Sequence, residues 1–315
     1  MRPDKALYVD WYMPRKRRGV LSRFKKPWEI AMIIRSAYFS KEINGLSPVL
    51  YCDPEIYEYY KETGLDKCFD EVRPVLPTEV DFDPSIFWSA GKFLAIRDIE
   101  ESFFMVDLDA EVRFEIDFSG CDVFCSHIEG INDSDLIYYP NPEYLDPNRY
   151  FSRTYGITWD NKAYNTSLLY FKDLNKAKEY ANEALNFIAS IDKIDPAFER
   201  GYTLLAEQRY LYEFCKDQKM EVRTLISGLY KTEDKIRKTG CYFEDSNVDE
   251  IGQKGFLHIW GFKNKIHNLE EEEQIIFGQL ISSRLNLKDH IIECVRKNRE
   301  LYGPETNNLQ SSIDT

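Results

Sequence analysis

Asp107-Leu108-Asp109 follows directly on Phe103-Phe104-Met105-Val106, a short apolar run bounded by charge. Such a run reads as a buried strand. Strand side chains alternate faces, so two aspartates spaced by two are expected to point the same way, with Leu108 opposite. Neighbouring carboxylates repel, and one of them holds a proton unless a cation satisfies both. A hard divalent ion with oxygen ligands is the natural partner. The carboxyl edge of a buried strand is also where an open α/β sheet holds its ligand. The alternative is a pair of solvated aspartates ending a strand, because so short a motif recurs by chance. A second metal-like spacing, Cys121-x3-Cys125-x-His127, has no further Cys/His pair to complete it. Buried strand cysteines are the better account there.

The elements that must position these residues follow from pattern. Ala6 to Trp11 reads as a first strand, broken by the basic stretch Arg15 to Gly19. A helix starts at Pro27, the favoured first-turn position, and runs to about Asn44. Pro48 to Cys52 is the next strand, and Asp53-Pro54 then caps a helix with Ile56, Tyr57 and Tyr60 on one side. Cys68 to Val75 gives a third strand, and Asp83-Pro84 opens a helix carrying Lys92. This alternation predicts a parallel sheet covered on both faces. Residues 132–160 are rich in Asp, Asn, Pro and Tyr, and loops of such length are usually functional or disordered. They are expected to face an acceptor. From Asp173 a helical stripe runs through Ala177, Tyr180, Ala181, Ala184, Leu185 and Ile188. A second helix has Leu204, Gln208, Leu211, Tyr212 and Cys215 in line. Gln208 therefore falls on a buried stripe, where its amide needs partners. Either a site role or a satisfied core glutamine accounts for it. Glu270 to about Tyr302 reads as a terminal helix or helix pair with acids in its first turn. The polar tail from Gly303 is expected to fray.

Taken in order, the Lys92 helix, the apolar strand and the Asp107-Leu108-Asp109 turn resemble the donor-site core of GT-A glycosyltransferases. Tyr164 to Phe171, led by Asn165-Thr166-Ser167, looks like the strand that follows the DxD in that fold. Glu207-Gln208 stands where many members carry an acid-glutamine pair near the reacting sugar. His258-Ile259-Trp260-Gly261-Phe262-Lys263 is similar to the histidine, glycine, lysine motif of the glycogenin and lipopolysaccharide galactosyltransferase group. In that group one more residue usually separates the glycine from the lysine, and proline-tryptophan follows. Here Asn264-Lys265 follows.

The resemblance implies an α/β fold, a Rossmann-like nucleotide-binding mixed sheet flanked by helices, with a C-terminal helical extension. It implies a glycosyltransferase domain over 1–268, with a donor half to about 120 and an acceptor half beyond it. A helical segment over 269–302 and a flexible tail over 303–315 complete the expected layout. The implied activity moves a sugar from a nucleotide-diphosphate donor, a UDP-sugar above all, to an acceptor hydroxyl, with retention. Asp107, Asp109 and His258 would hold Mn²⁺ or Mg²⁺, and an imidazole in the set favours Mn²⁺. A structural histidine is the alternative for His258. Tyr8, Asp10 and Trp11 would cradle the nucleoside, although core packing would explain them equally. Lys92, Gly261 and Lys263 would meet the diphosphate. Arg23, Lys25 and Lys26 could close over it or face water. Gln208, Glu207 and Asp160 are the catalytic candidates, with Glu199 a further acid. Asn165, Thr166 and Ser167 are expected on the acceptor side, where a glycan, lipid-linked or protein acceptor would bind.

Bulk properties bound these expectations. The chain has 315 residues and 15% aromatic content, enough for a full core. A net charge of −13 argues against a nucleic-acid partner, which needs a basic face. The same charge opposes an anionic donor unless a divalent cation and local basic groups overcome it. No apolar stretch approaches the ~20 residues that span a bilayer, no leader is evident, and the seven cysteines lack paired spacing. A cytoplasmic protein without a transmembrane anchor is the expectation. Three rival readings remain. A sugar-nucleotide pyrophosphorylase would want a glycine series near Tyr8 to Trp11. A metal-dependent phosphodiesterase would gather more ligands around two ions. A non-catalytic carbohydrate-binding protein could keep the same fold.

Overall fold

The computed structural model describes residues 2–20, 22–130, 161–191, 194, 196, 199–226, 229–231, 255–258 and 287–303. Apolar runs at strand period form β1 (Lys5–Asp10), β2 (Ser47–Cys52), β3 (Glu71–Arg73) and β4 (Phe103–Val106). They pair in parallel in the order β3-β2-β1-β4. Beyond β4 the sheet changes direction. There β7 (Lys162–Phe171) runs antiparallel to β4, and β6 (Val123–Gly130) runs antiparallel to β7. The short strands β8 (Val222–Thr224) and β9 (Leu229–Lys231) each pair in parallel with β6. A separate two-stranded ribbon joins β5 (Ala110–Val112) to β10 (Phe256–His258). The class is thus a Rossmann-like mixed α/β sheet flanked by helices, the fold class expected.

Period-two alternation divides each central strand between two cores. Ala6, Tyr8, Leu50, Phe104 and Val106 pack on one face with α2 (Pro27–Glu42) and α3 (Pro54–Thr63). Leu7, Val49, Tyr51, Phe103 and Met105 pack on the other with α4 (Ala90–Asp98) and α5 (Leu174–Ser190). A strand covered on both faces must be apolar throughout, and β4 is buried at all four positions.

Local chemistry sets the helix ends. Asp53 caps α3 by accepting from the Ile56 amide at 3.0 Å, and left-handed Gly64 (φ 82°) ends it. Asp173 caps α5 through the Asn175 amide at 2.8 Å, and the six stripe residues predicted for α5 are all buried. Two expectations shift. The basic stretch after β1 forms a short helix, α1 (Met13–Arg17). Asp83 makes a local turn with Ser85, and the helix carrying Lys92 starts only at Ala90.

The second helix predicted beyond Glu199 is interrupted. It runs as α6 (Glu199–Leu204), a π-helical turn (Leu205–Arg209) and α7 (Tyr210–Asp217). The extra residue per turn changes the phase of the buried stripe, so Glu207 is buried while Gln208 is only half-buried. The end of the chain contributes α8 (Lys288–Tyr302), whose Ile291, Cys294 and Val295 join the α2–α3 core. Among the described residues no helix is long and apolar enough to cross a membrane.

Candidate metal centre

The strand β4 ends before the aspartates, which occupy a turn. The Asp107 amide donates to Ser167 O on β7 at 2.9 Å, and the Ala110 amide closes back on Asp107 O at 2.9 Å. Strand alternation is therefore not what gathers the two carboxylates. The turn gathers them, and it then feeds β5 away from the main sheet to pair with β10. In that ribbon His258 lies opposite Ala110. One ligand atom each from Asp107, Asp109 and His258 falls within 4.8 Å of the others, and His258 Nε2 is 3.7 Å from Asp109 Oδ1.

Two features fix the ribbon. Gly255, at φ 97°, lies so close to Arg113 that a Cβ there would sit 2.6 Å from Arg113 Cβ. Only glycine allows that approach and that backbone angle. On β5, Glu111 is fully buried and receives Arg35 from α2 through two hydrogen bonds of 2.9 and 3.0 Å. This fork-on-fork pair has the geometry of a strong charge-assisted contact and ties the aspartate turn to the helix layer. Sequence reasoning did not find it. The visible signal was a glutamate two residues beyond Asp109, in a segment too short to show a period.

A second cluster adjoins the aspartates. Lys92 Nζ on α4 is 2.7 Å from Asp107 Oδ1 and 2.6 Å from Glu207 Oε1 on the π-helical turn. Thr166 donates its hydroxyl to the same Glu207 oxygen, and Tyr180 donates to Glu207 O at 2.7 Å. Burial pushes the Asp107 carboxyl up to about 6; Lys92 opposes the rise, and Asp109 and Glu207 add to it. Burial by itself would lower Lys92, but Asp107 and Glu207 outweigh it and hold the ammonium above its ordinary range. Charged groups this close and this enclosed make the cluster a candidate functional site.

The remaining candidates are placed as follows. Tyr8 is fully buried, its hydroxyl sharing hydrogen bonds with Ser36 and Ser40 at 3.0 and 2.7 Å. Its ring is core and is closed to a stacking base. Asp10 is buried against Lys25 Nζ at 2.7 Å and the Tyr60 hydroxyl at 2.9 Å. Lys25 thus neither faces water nor reaches the aspartate turn. Trp11 is also buried, its indole donating to Pro77 O at 2.9 Å. Asn165, Thr166 and Ser167 are all buried on β7. Thr166 and Ser167 touch the cluster through Glu207 and the Asp107 amide, whereas Asn165 accepts from Ser126 at 2.7 Å and donates to Glu129 at 2.9 Å. Cys125 is a buried β6 residue, Cys121 is buried in the segment before that strand, and His127 Nε2 lies 3.2 Å from Glu129 Oε1. Among the described residues, Asp107, Asp109 and His258 form the one metal-capable grouping. Asp160, Gly261 and Lys263 lie outside the described residues, as do positions 132–160 and Trp260.

Two carboxylates and an imidazole make a donor set that fits a divalent cation. Metal–ligand bonds of about 2.0–2.6 Å allow two ligands of one ion to stand some 4–5 Å apart, so small side-chain rotations would complete the site. The model of a family of unknown function, DUF6734, matches residues 50–282, most of the chain and all of the aspartate turn, β7 and His258. The chain belongs to this family. No curated protein matches it.

Solved structures offer distant likeness. A nucleoside-diphosphate-sugar pyrophosphorylase from Vibrio cholerae RC9 shares 12% identity at a TM-score of 0.38, covering 72% of this chain and 92% of that one. The glycosyltransferase GlyE of Streptococcus pneumoniae TIGR4 shares 9% identity at a TM-score of 0.36, covering 95% of this chain and 63% of that one. Neither assigns an activity at that level of similarity.

Proposed function

We propose that this chain is a metal-dependent glycosyltransferase that transfers a sugar from a nucleotide-diphosphate donor, a UDP-sugar, to an acceptor hydroxyl. The observation that carries this reading is the convergence of Asp107, Asp109 and His258 on one spot at the carboxyl end of β4. A bound divalent ion would supply Lewis-acid stabilisation of the departing diphosphate. The protein's part is to hold that ion with two carboxylates and one imidazole, Mn²⁺ suiting the mixed set better than Mg²⁺. Gly261 and Lys263, placed by motif, would meet the phosphates.

Glu207 is already committed to Lys92 and Thr166, which makes it a poor acceptor of a proton from an incoming hydroxyl. Retention, in which no strong base is needed, is consistent with that, and Gln208, half-buried beside Glu207, is the candidate polar side chain near the sugar. The test is nucleoside diphosphate release across a panel of sugar nucleotides, with Mn²⁺, with Mg²⁺ and with chelator. Release from a UDP-sugar that stops with chelator and in Asp109→Asn is the expected result. Undiminished turnover in Asp109→Asn would sink the reading. Sugar 1-phosphate formed on adding pyrophosphate would point to a pyrophosphorylase instead.

A further inference from the structure

Lys92 stands where a metal ion would have to act. Its ammonium lies 2.7 Å from Asp107 Oδ1, on a carboxylate that also belongs to the metal-capable grouping. It also lies 2.6 Å from Glu207 Oε1 and 3.5 Å from Thr166 O. A divalent ion on the same carboxylate would stand close to the ammonium, and the two cations would repel each other. The ammonium has a second place to go, because Glu207 is buried and pinned by Thr166 and Tyr180.

We propose that Lys92 is a built-in competitor for the metal site: it occupies Asp107 in the metal-free protein and is handed over to Glu207 when a divalent cation binds. The inference rests on the metal-dependent reading above. The helix that bears Lys92 is fixed, since Gly91 packs on Trp11 so tightly that a Cβ there would lie 3.0 Å from Trp11 Cβ. The exchange is therefore a movement of the lysine side chain between two fixed carboxylates. Its consequence is a site that binds free metal weakly. A diphosphate, bringing further negative charge to the ion, would tip the exchange, so metal and donor bind together more tightly than either alone.

Calorimetric titration with Mn²⁺ alone, without nucleotide, tests the competition on wild type, Lys92→Met, Glu207→Gln and Asp109→Asn. Lys92→Met should bind Mn²⁺ at least tenfold more tightly, and the gain should persist in ~1 M salt, where the Debye length is only ~3 Å and long-range attraction is screened. Glu207→Gln should bind more weakly, because the ammonium then has Asp107 as its one carboxylate. Affinity in Lys92→Met equal to or below wild type overturns the proposal. Should Lys92→Met not fold, Glu207→Gln decides: weaker binding supports the exchange, and unchanged or tighter binding overturns it. If wild type binds no Mn²⁺, binding by Lys92→Met supports the proposal, and its absence overturns it. Failure of the metal reading itself looks different, because the Asp109→Asn change would then leave Mn²⁺ binding unaltered in whichever of wild type and Lys92→Met binds the ion.

Discussion

At the scale of single residues, His258 is the most discriminating position. It is 4% exposed and 3.7 Å from Asp109, so a change there tests both packing and ligation. His258→Ala should weaken Mn²⁺ binding at least tenfold, about 1.4 kcal/mol, with less effect on nucleoside affinity. Binding should also weaken as pH falls, because protons compete with the ion for the imidazole and the carboxylates. A purely structural histidine would instead lower the melting temperature and leave metal affinity per folded molecule unaltered. Asp107, Asp109 and His258 were legible because residue type and order announced them. Glu207 was named from sequence but its surroundings were not, since the helical stripe predicted Gln208 as the inward residue. One π-helical turn reverses that, and a π turn leaves no mark in hydrophobic period.

The elements that carry these residues depend on contacts no local pattern reveals. The ribbon β5–β10 has three residues per strand, too few for periodicity, and it is held by Gly255 and the buried Arg35–Glu111 pair. Glu111 also accepts from Arg113 Nε at 2.6 Å, so removing Arg35 leaves the buried carboxylate half-paired, at a cost of about 1.5–3 kcal/mol. Arg35→Met should show that loss in urea unfolding and should also weaken Mn²⁺ binding, since Glu111 adjoins the aspartate turn. A loss under 1 kcal/mol would mean the pair does not anchor the ribbon. At the sheet edge, Arg73 on β3 bonds Glu71 and Glu101, and it holds both carboxyls below their ordinary value of 4.5. Carboxyls depressed on folding stabilise the protein above the unfolded value, and the contribution is lost as pH falls through the folded one. Glu101→Gln should therefore lower the melting temperature at pH 7, flatten its decline below about pH 4.5 and converge with the unmutated protein in acid. Equal acid sensitivity in both proteins would remove Arg73 from the account.

Across the whole molecule, strand–helix alternation revealed the parallel half of the sheet, because β2 and β3 each follow a neighbour through a helix and β4 returns through α4 to the far side of β1. The antiparallel insertion of β7 between β4 and β6 was not readable from alternation, since it depends on pairings between distant segments. The same holds for α8, which the sequence presents as a terminal extension. In the structure Asn298 reaches residue 25, at the other end of the chain. Its side chain accepts from the Lys25 amide at 3.3 Å and from the Tyr59 hydroxyl at 2.8 Å, and it donates to Lys25 O at 2.8 Å. Lys25 in turn pairs with Asp10 at the end of β1. The helix is thus part of the α2–α3 core, joined to it by a fully buried amide. Asn298→Ala would leave a buried amide, a carbonyl and a hydroxyl short of a partner. Each such group costs about 1–3 kcal/mol, partly recovered by relaxation, so a total loss of about 2–4 kcal/mol is expected. Urea unfolding followed by both helix circular dichroism and tryptophan fluorescence would check it. The two probes should move together, shifted by that amount, because α8 and the β1 end melt as one unit. A shift under 0.5 kcal/mol, or an early helix transition already present in the unmutated protein, would show that α8 is an appendage after all.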